Sequence, residues 1–253
     1  MNFLESVLLG ILEGFTEFLP ISSTGHLILF SHLLKIQENA FLSLFEIVIQ
    51  FGAILAVLGI YYKEISTSIS IWINLLIAFL PSAIIGFLVG SWIKATLFQP
   101  IVVCFSLFVG GMILVWLELR NQKNQFTNGD KINAKLMLGI GFFQCLAFIP
   151  GVSRSAATII GGQLLGLKRE ESVKFSFLLG VPTITAAGAY SLLKHPYQLS
   201  NEELQLLGVG LLTSFVAAYF SIKFFLKLLD RKAFLLCGIY RMILALSYFY
   251  FIL

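Results

Sequence analysis

The chain has 253 residues, of which 58% are hydrophobic and 12% charged, about half the charged share of an ordinary soluble domain. At a mean hydropathy of +0.92 it carries too little polar side chain to cover a water-exposed core, which excludes a secreted enzyme, a cytosolic domain and a disordered chain. The net charge of +4 is too small and too unevenly placed to point to nucleic acid; its use is to orient the chain in a bilayer.

In chain order, the opening stretch has no basic region before Lys35, so the first membrane segment itself is expected to direct targeting. Residues 3–34 are apolar but interrupted by FLPISSTGH. Three uninterrupted apolar runs follow, at about 41–61, 70–92 and 100–119, each near the roughly 20 residues needed to cross a bilayer core. The polar stretch NQKNQFTNGD, residues 121–130, reads as a linker. Residues 136–167 are again apolar and interrupted, by FIPGVSRSAAT, and three more runs complete the chain at about 171–193, 205–227 and 233–253. Proline cannot continue the helix before it, and small polar residues cannot face lipid unsatisfied. Each interrupted segment is therefore expected to be a helix, a buried break, and a second helix starting near the proline. Cys104, Cys145 and Cys237 form no CxxC pair and read as small hydrophobes.

The halves match weakly but in order. An offset of 130 lays Phe18-Leu19-Pro20 on Phe148-Ile149-Pro150, Ser23 on Ser153, and the tract led by Phe45 on that led by Phe175. Each half then has one broken segment that leaves and returns to one side plus three spans, an odd number, so the halves must be inverted relative to each other. The expected fold is an all-α polytopic membrane protein with six spanning helices, two broken re-entrant segments and an inverted-topology repeat, with halves 1–130 and 131–253 forming one integral membrane domain. One face collects Lys63, Arg120, Lys123, Lys131, Lys135, Lys168, Arg169, Lys174, Lys223, Lys227, Arg231 and Lys232, the other only Lys35, Lys94 and Lys194. This bias of twelve to three places the first break outside the cytoplasm.

Charges at membrane depth cost roughly 2.5 to 3.5 kcal/mol each on insertion scales and mark function by default. Glu13 and Glu17, four apart on one helix face, lead into the first break and repel each other; a divalent cation, Mg²⁺ or Ca²⁺, would resolve the conflict, as would protonation of one of them. Ser22, Ser23, Thr24 and Gly25 follow Pro20 at a helix start, which is both an N-cap and an anion site. His26 is spaced to reach a hydroxyl on the same face. The second break repeats the pattern with Ser153, Ser155 and Thr158 and adds Arg154, whose planar fork matches phosphate or neutralises a carboxylate. Glu46 and Gln50 on the next helix are expected at the same cavity. Arg241 reads as a structural or snorkelling charge, and His32 and His195 carry no motif. Inverted halves would bring both breaks together around one phosphate-bearing head whose tail stays in lipid.

EGFTEFLPISSTGHLIL (13–29), the FEIVIQFGAILAV tract, FQCLAFIPGVSRSAATIIGG (143–162) and IYRMILA near the end closely resemble the undecaprenyl-pyrophosphate phosphatase family of the bacitracin-resistance type. Ala156 stands where relatives often carry Gly. The resemblance implies a bacterial plasma-membrane hydrolase that converts undecaprenyl diphosphate to the monophosphate carrier and inorganic phosphate for cell-wall precursor recycling. It implies Glu13 and Glu17 as the glutamate motif, Ser23 and His26 as the reactive pair and Arg154 as the phosphate-binding arginine. Ser23, His26 and water all stay open as nucleophile, and a homodimer is compatible with the sequence. The rival class is a transporter or flippase of a lipid phosphate or small anion, for which broken helices in inverted repeats are equally a signature.

Overall fold

A computed structural model of the protein describes residues 1–37, 39–121, 133–194, 199–229 and 232–251, and these contain helices and no strand. The helices are α1 (Phe3–Thr16), α2 (Ser23–Leu33), α3 (Ala40–Ile60), α4 (Tyr62–Thr67), α5 (Ile69–Leu97), α6 (Pro100–Asn121), α7 (Ala134–Cys145), α8 (Arg154–Leu164), α9 (Arg169–Lys194), α10 (Asn201–Leu228) and α11 (Ala233–Phe251). Six of them, α3, α5, α6, α9, α10 and α11, are long and apolar enough to cross a membrane, matching the six uninterrupted runs. The 121–130 linker, apart from Asn121, and His195 lie outside the described residues.

Local chemistry sets the helix ends. Asn2 and Glu5 form a reciprocal cap on α1, Ser200 and Glu203 do the same on α10, and the Asn39 side chain accepts from the Leu42 N–H to start α3, satisfying donors that a helix start leaves unpaired. The short α4, unforeseen from the hydropathy pattern, is held to α5 by Trp72 Nε1, which donates to the Ile65 carbonyl at 2.9 Å.

Both interrupted segments break as expected, but the second helix starts later than the proline suggests. The first break runs over residues 17–22 and α2 begins at Ser23, with Pro20 in the turn; the second passes through a single 3-10 turn, Leu146–Phe148, and α8 begins at Arg154. In each case a serine immediately before the helix takes a left-handed backbone, Ser22 at φ 74° and Ser153 at φ 77°, and its hydroxyl accepts an N–H of the first turn. That conformation is uncommon for a residue with a side chain, and it displaces the helix start past the proline. Met1 and Glu5 line a cavity with Lys35, Asn39 and Leu42, and Gly139, midway along α7, faces Leu165 just past the end of α8.

Packing partners exchange between the halves. α1 packs mainly on α10 while α7 packs on α5; α3 also lies on α10 and α9 on α5, and α6 pairs with α11. The α1–α3–α10 contact is made backbone to backbone. A Cβ on Gly14 would come 2.2 Å from the Ser214 carbonyl oxygen, and one on Gly52 2.4 Å from that of Leu211. Phe18, Phe177, Phe225 and Phe234 form a chain of buried rings with centroids 5.3 to 6.3 Å apart. At one end, Lys174 pairs with Glu64, and Arg169 pairs with Glu118 at 2.9 Å while lying over the Phe234 ring. These contacts gather residues from the face richer in Lys and Arg.

Candidate active site

The two breaks meet. Ser155 Oγ of the second donates to the Leu19 carbonyl of the first at 2.8 Å, and between them lies a cavity of about 130 Å³ lined by Glu17, Ser22, Ser23 and Thr24 from the first break, Gln50 of α3, Ile184 of α9, and Ala147, Ile149, Pro150, Gly151, Ser153 and Arg154 from the second. Its volume is a few times the roughly 30 Å³ share of a water, enough for a phosphate head and far too small for a polyprenyl chain.

Three side chains form its reactive core. Ser23 Oγ–H donates to Glu17 Oε2, and Arg154 Nη2 donates to Glu17 Oε1 at 3.1 Å. Arg154 is further fixed by Nη1, which donates to the Ser176 carbonyl at 2.8 Å, and by the Phe18 ring 5.6 Å below its guanidinium. Gly180 leaves the room it occupies, since a Cβ there would sit 2.8 Å from Nη2. The Arg154 Nε–H is buried and has no partner among the described residues. The Glu17 and Arg154 side chains are only 7% and 11% exposed, so their attraction is little screened by solvent.

The remaining expected residues sort themselves by distance from this core. Thr158 bonds Ser176 across α8 and α9 at 2.6 Å, and Ser155 bonds Leu19, so both brace the second break from behind. The Gly25 N–H donates to Ser22 Oγ as part of the cap. Gln50 lines the cavity; Glu46 does not, although it lies within electrostatic range of Glu13. Sequence spacing missed Ser176, Ile184, Ala147 and Ile149.

His26 departs from expectation. Its Nδ1 bonds the Ser22 carbonyl at 2.7 Å and its Nε2 bonds Tyr240 Oη at 2.8 Å, with the two rings stacked. It touches neither the Ser23 nor the Ser22 hydroxyl and does not line the cavity. Four-residue spacing brings the ring to the carbonyl of the previous turn as readily as to a hydroxyl, and Tyr240, distant in sequence, settles its direction. Arg241 is fully buried and so cannot snorkel. His32 bonds Tyr248.

Glu13 is fully buried beside Glu17, and neither of its carboxylate oxygens has a partner among the described residues. Such orphaned oxygens suit a hard divalent cation, which takes one or two carboxylates and completes its shell with water and substrate phosphate. No cluster of three or more His, Cys, Asp or Glu is arranged around a common point among the described residues. The residues present thus fit a cation shared with a phosphate ligand rather than one caged by protein.

Six apolar helices around two joined breaks, with a Ser–Glu–Arg constellation in a small cavity, define a polytopic membrane protein with a buried polar site. The profile of the family described as bacitracin resistance protein BacA matches residues 6–247. The chain belongs to that family. It is 44% identical over 254 residues to an undecaprenyl-diphosphatase of Wolinella succinogenes, covering 100% of this chain and 99% of the relative. It is 47% identical over 247 residues to one from Sulfurimonas denitrificans, covering 96% of each, and 42% identical over 253 residues to undecaprenyl-diphosphatase 3 of Acinetobacter baylyi, covering 96% and 95%.

Proposed function

We propose that the protein is an integral membrane phosphatase of the bacterial plasma membrane that hydrolyses undecaprenyl diphosphate to undecaprenyl phosphate and inorganic phosphate, recycling the lipid carrier for cell-wall synthesis and conferring resistance to bacitracin. One observation carries the reading: a serine hydroxyl is donated to a buried carboxylate that an arginine also holds, inside a cavity sized for a phosphate. The activity named for full-length relatives matches that chemistry.

Ser23 Oγ attacks the terminal phosphorus while Glu17 takes its proton. The bond from that phosphorus to the bridging oxygen breaks, and the electron pair leaves with the lipid monophosphate. Glu17 passes that proton to the leaving phosphate oxygen and is again a carboxylate. A water then attacks the phosphoserine, giving a proton to Glu17; the bond from phosphorus to Ser23 Oγ breaks, Ser23 Oγ takes that proton back from Glu17, and inorganic phosphate departs. Arg154 stabilises charge gathering on the equatorial oxygens. His26, bonded to the Ser22 carbonyl, holds the turn that aims Ser23. A Mg²⁺ or Ca²⁺ held by Glu13 and Glu17 would supply charge neutralisation at the phosphate oxygens when bound.

The polyprenyl tail does not fit the cavity and leaves it past the apolar rim at Ile149 and Ile184. The cavity shared by Met1, Glu5, Lys35 and Asn39, the approach of Gly139 to Leu165, and the exchange of helix partners between halves support two inverted, re-entrant repeats. The Lys and Arg bias directs the site to the extracytoplasmic side. The test is phosphate release from a polyprenyl diphosphate by detergent-purified protein with Mg²⁺ or Ca²⁺. No release, together with flux of labelled lipid phosphate across vesicles, would make the protein a transporter instead.

A further inference from the structure

Arg241 of α11 takes no part in the steps above, yet it is the bulkiest fully buried side chain among the described residues. It forms no ion pair among them, and its guanidinium instead donates to five main-chain carbonyls. Two belong to α6: Leu107, reached by Nε at 3.3 Å, and Ser106, reached by Nη2 at 3.1 Å. The other three belong to the breaks. Nη1 donates to Pro20 of the first and to Val152 of the second, both at 3.1 Å, and Nη2 donates to Gly151 at 2.8 Å. Gly110 makes the space, for a Cβ there would lie 2.0 Å from Nη2. A buried charge of this kind is costly, and apolar packing would serve stability as well.

The peptide geometry indicates what the charge does. No cis peptide is present, so each carbonyl held by Arg241 has its N–H pointing the opposite way. For Pro20 and Gly151 that N–H is used locally, by Ile21 to Leu19 and by Val152 to Ile149. For Val152 it is the Ser153 N–H, which has no acceptor in the hydrogen bonds among the described residues, and Ser153 lines the cavity. A carbonyl bonded to a cation also leaves its amide a stronger donor.

We propose that Arg241 is a positioning residue that clamps the two breaks at a fixed separation and turns the Val152–Ser153 amide into the cavity as a donor to the phosphate oxygens that gain charge during hydrolysis. This rests on the phosphatase reading. Arg154 touches the substrate; Arg241 acts through the backbone.

The experiment compares wild type, Arg241→Lys, Arg241→Met and Gly110→Ala, purified in detergent, for kcat and KM on polyprenyl diphosphate and for thermal midpoint. Arg241→Met is expected to lose about a hundredfold in kcat, the scale of one lost oxyanion donor, with KM within about threefold of wild type, the signature of an interaction made in the transition state. Lysine, a point charge that cannot span five carbonyls, restores part of that loss. Gly110→Ala, which displaces the guanidinium without removing it, moves kcat in the same direction. Wild-type kcat in a folded Arg241→Met protein, or a change confined to KM, overturns the inference. If Arg241→Met does not fold, wild-type kcat in both Arg241→Lys and Gly110→Ala overturns it. Failure of wild type itself to release phosphate removes the phosphatase reading and this inference with it; release by wild type with kcat unchanged in the variants removes this inference alone.

Discussion

Replacing Glu17 by Gln tests whether Glu17, rather than His26 of the expected Ser23–His26 reactive pair, is the base. The carboxylate uses one oxygen for the Ser23 hydroxyl and the other for Arg154. Glutamine keeps the shape but has one oxygen. With its amide nitrogen toward Ser23 it cannot accept the proton, and with the nitrogen toward Arg154 two N–H donors face each other. Loss of a positioned general base costs about 10² to 10⁴ in rate, or roughly 3 to 5 kcal/mol at 1.36 kcal/mol per decade. One charge-assisted hydrogen bond adds about 1.5 to 3 kcal/mol of ground-state disorder around Arg154. His26→Gln, by contrast, disturbs neutral hydrogen bonds to Ser22 and Tyr240, worth about 1 kcal/mol each, and is expected to cost less than about tenfold. The assay is initial-rate phosphate release from polyprenyl diphosphate by the two variants and wild type, side by side. If Glu17→Gln kept its rate within about threefold of wild type, or if His26→Gln lost as much as Glu17→Gln, the assignment of Glu17 as base would be wrong.

Ser23→Ala is expected to abolish the phosphoserine and reduce release by at least about a hundredfold; trapping with ³²P-labelled substrate followed by acid quench checks it, because wild type should carry label and the variant none. Arg154→Ala should lower kcat by on the order of a hundredfold or more, with Arg154→Lys between it and wild type. Chelation by EDTA should stop turnover and added Mg²⁺ or Ca²⁺ restore it, while Glu13→Gln raises the metal concentration needed for half activity; an EDTA-treated enzyme with full activity would remove the metal from the scheme. Gly14→Ala, whose new Cβ would meet the Ser214 carbonyl at 2.2 Å, should destabilise the α1–α10 contact by about 1 to 3 kcal/mol, visible as a lowered thermal midpoint in detergent.

What could be read from the residues in advance follows physical lines. The six spans were legible because apolar length is sufficient to identify them. The breaks were legible because proline and hydroxyl clusters are incompatible with an uninterrupted helix in lipid. Glu17 and Arg154 stood out because burying either alone is costly, and they are found paired. The helix starts at Ser23 and Arg154 were not legible, since nothing in a serine announces the positive φ of Ser22 or Ser153. The direction of His26 depends on Tyr240, 214 residues away, and helical spacing carries no trace of that partner. Arg241 was hidden more thoroughly: its partners are carbonyls, which every residue has. Beyond its charge at membrane depth and its place in the IYRMILA tract, its cue is the Gly110-Gly111 pair in α6, meaningful only once α6 and α11 are known to pair.

The ion pair between the breaks joins residues 137 positions apart. At the usual pace of synthesis, about 5 to 20 residues per second, that gap lasts roughly 7 to 27 s. Throughout it a nascent chain holds Glu13 and Glu17 without Arg154 to meet them. The first hairpin therefore has no electrostatic reason to settle at its final depth until the second arrives. Its seating becomes a late step of biogenesis, coupled to arrival of the other half, and a chain stalled between the two would keep its acidic turn at the membrane surface.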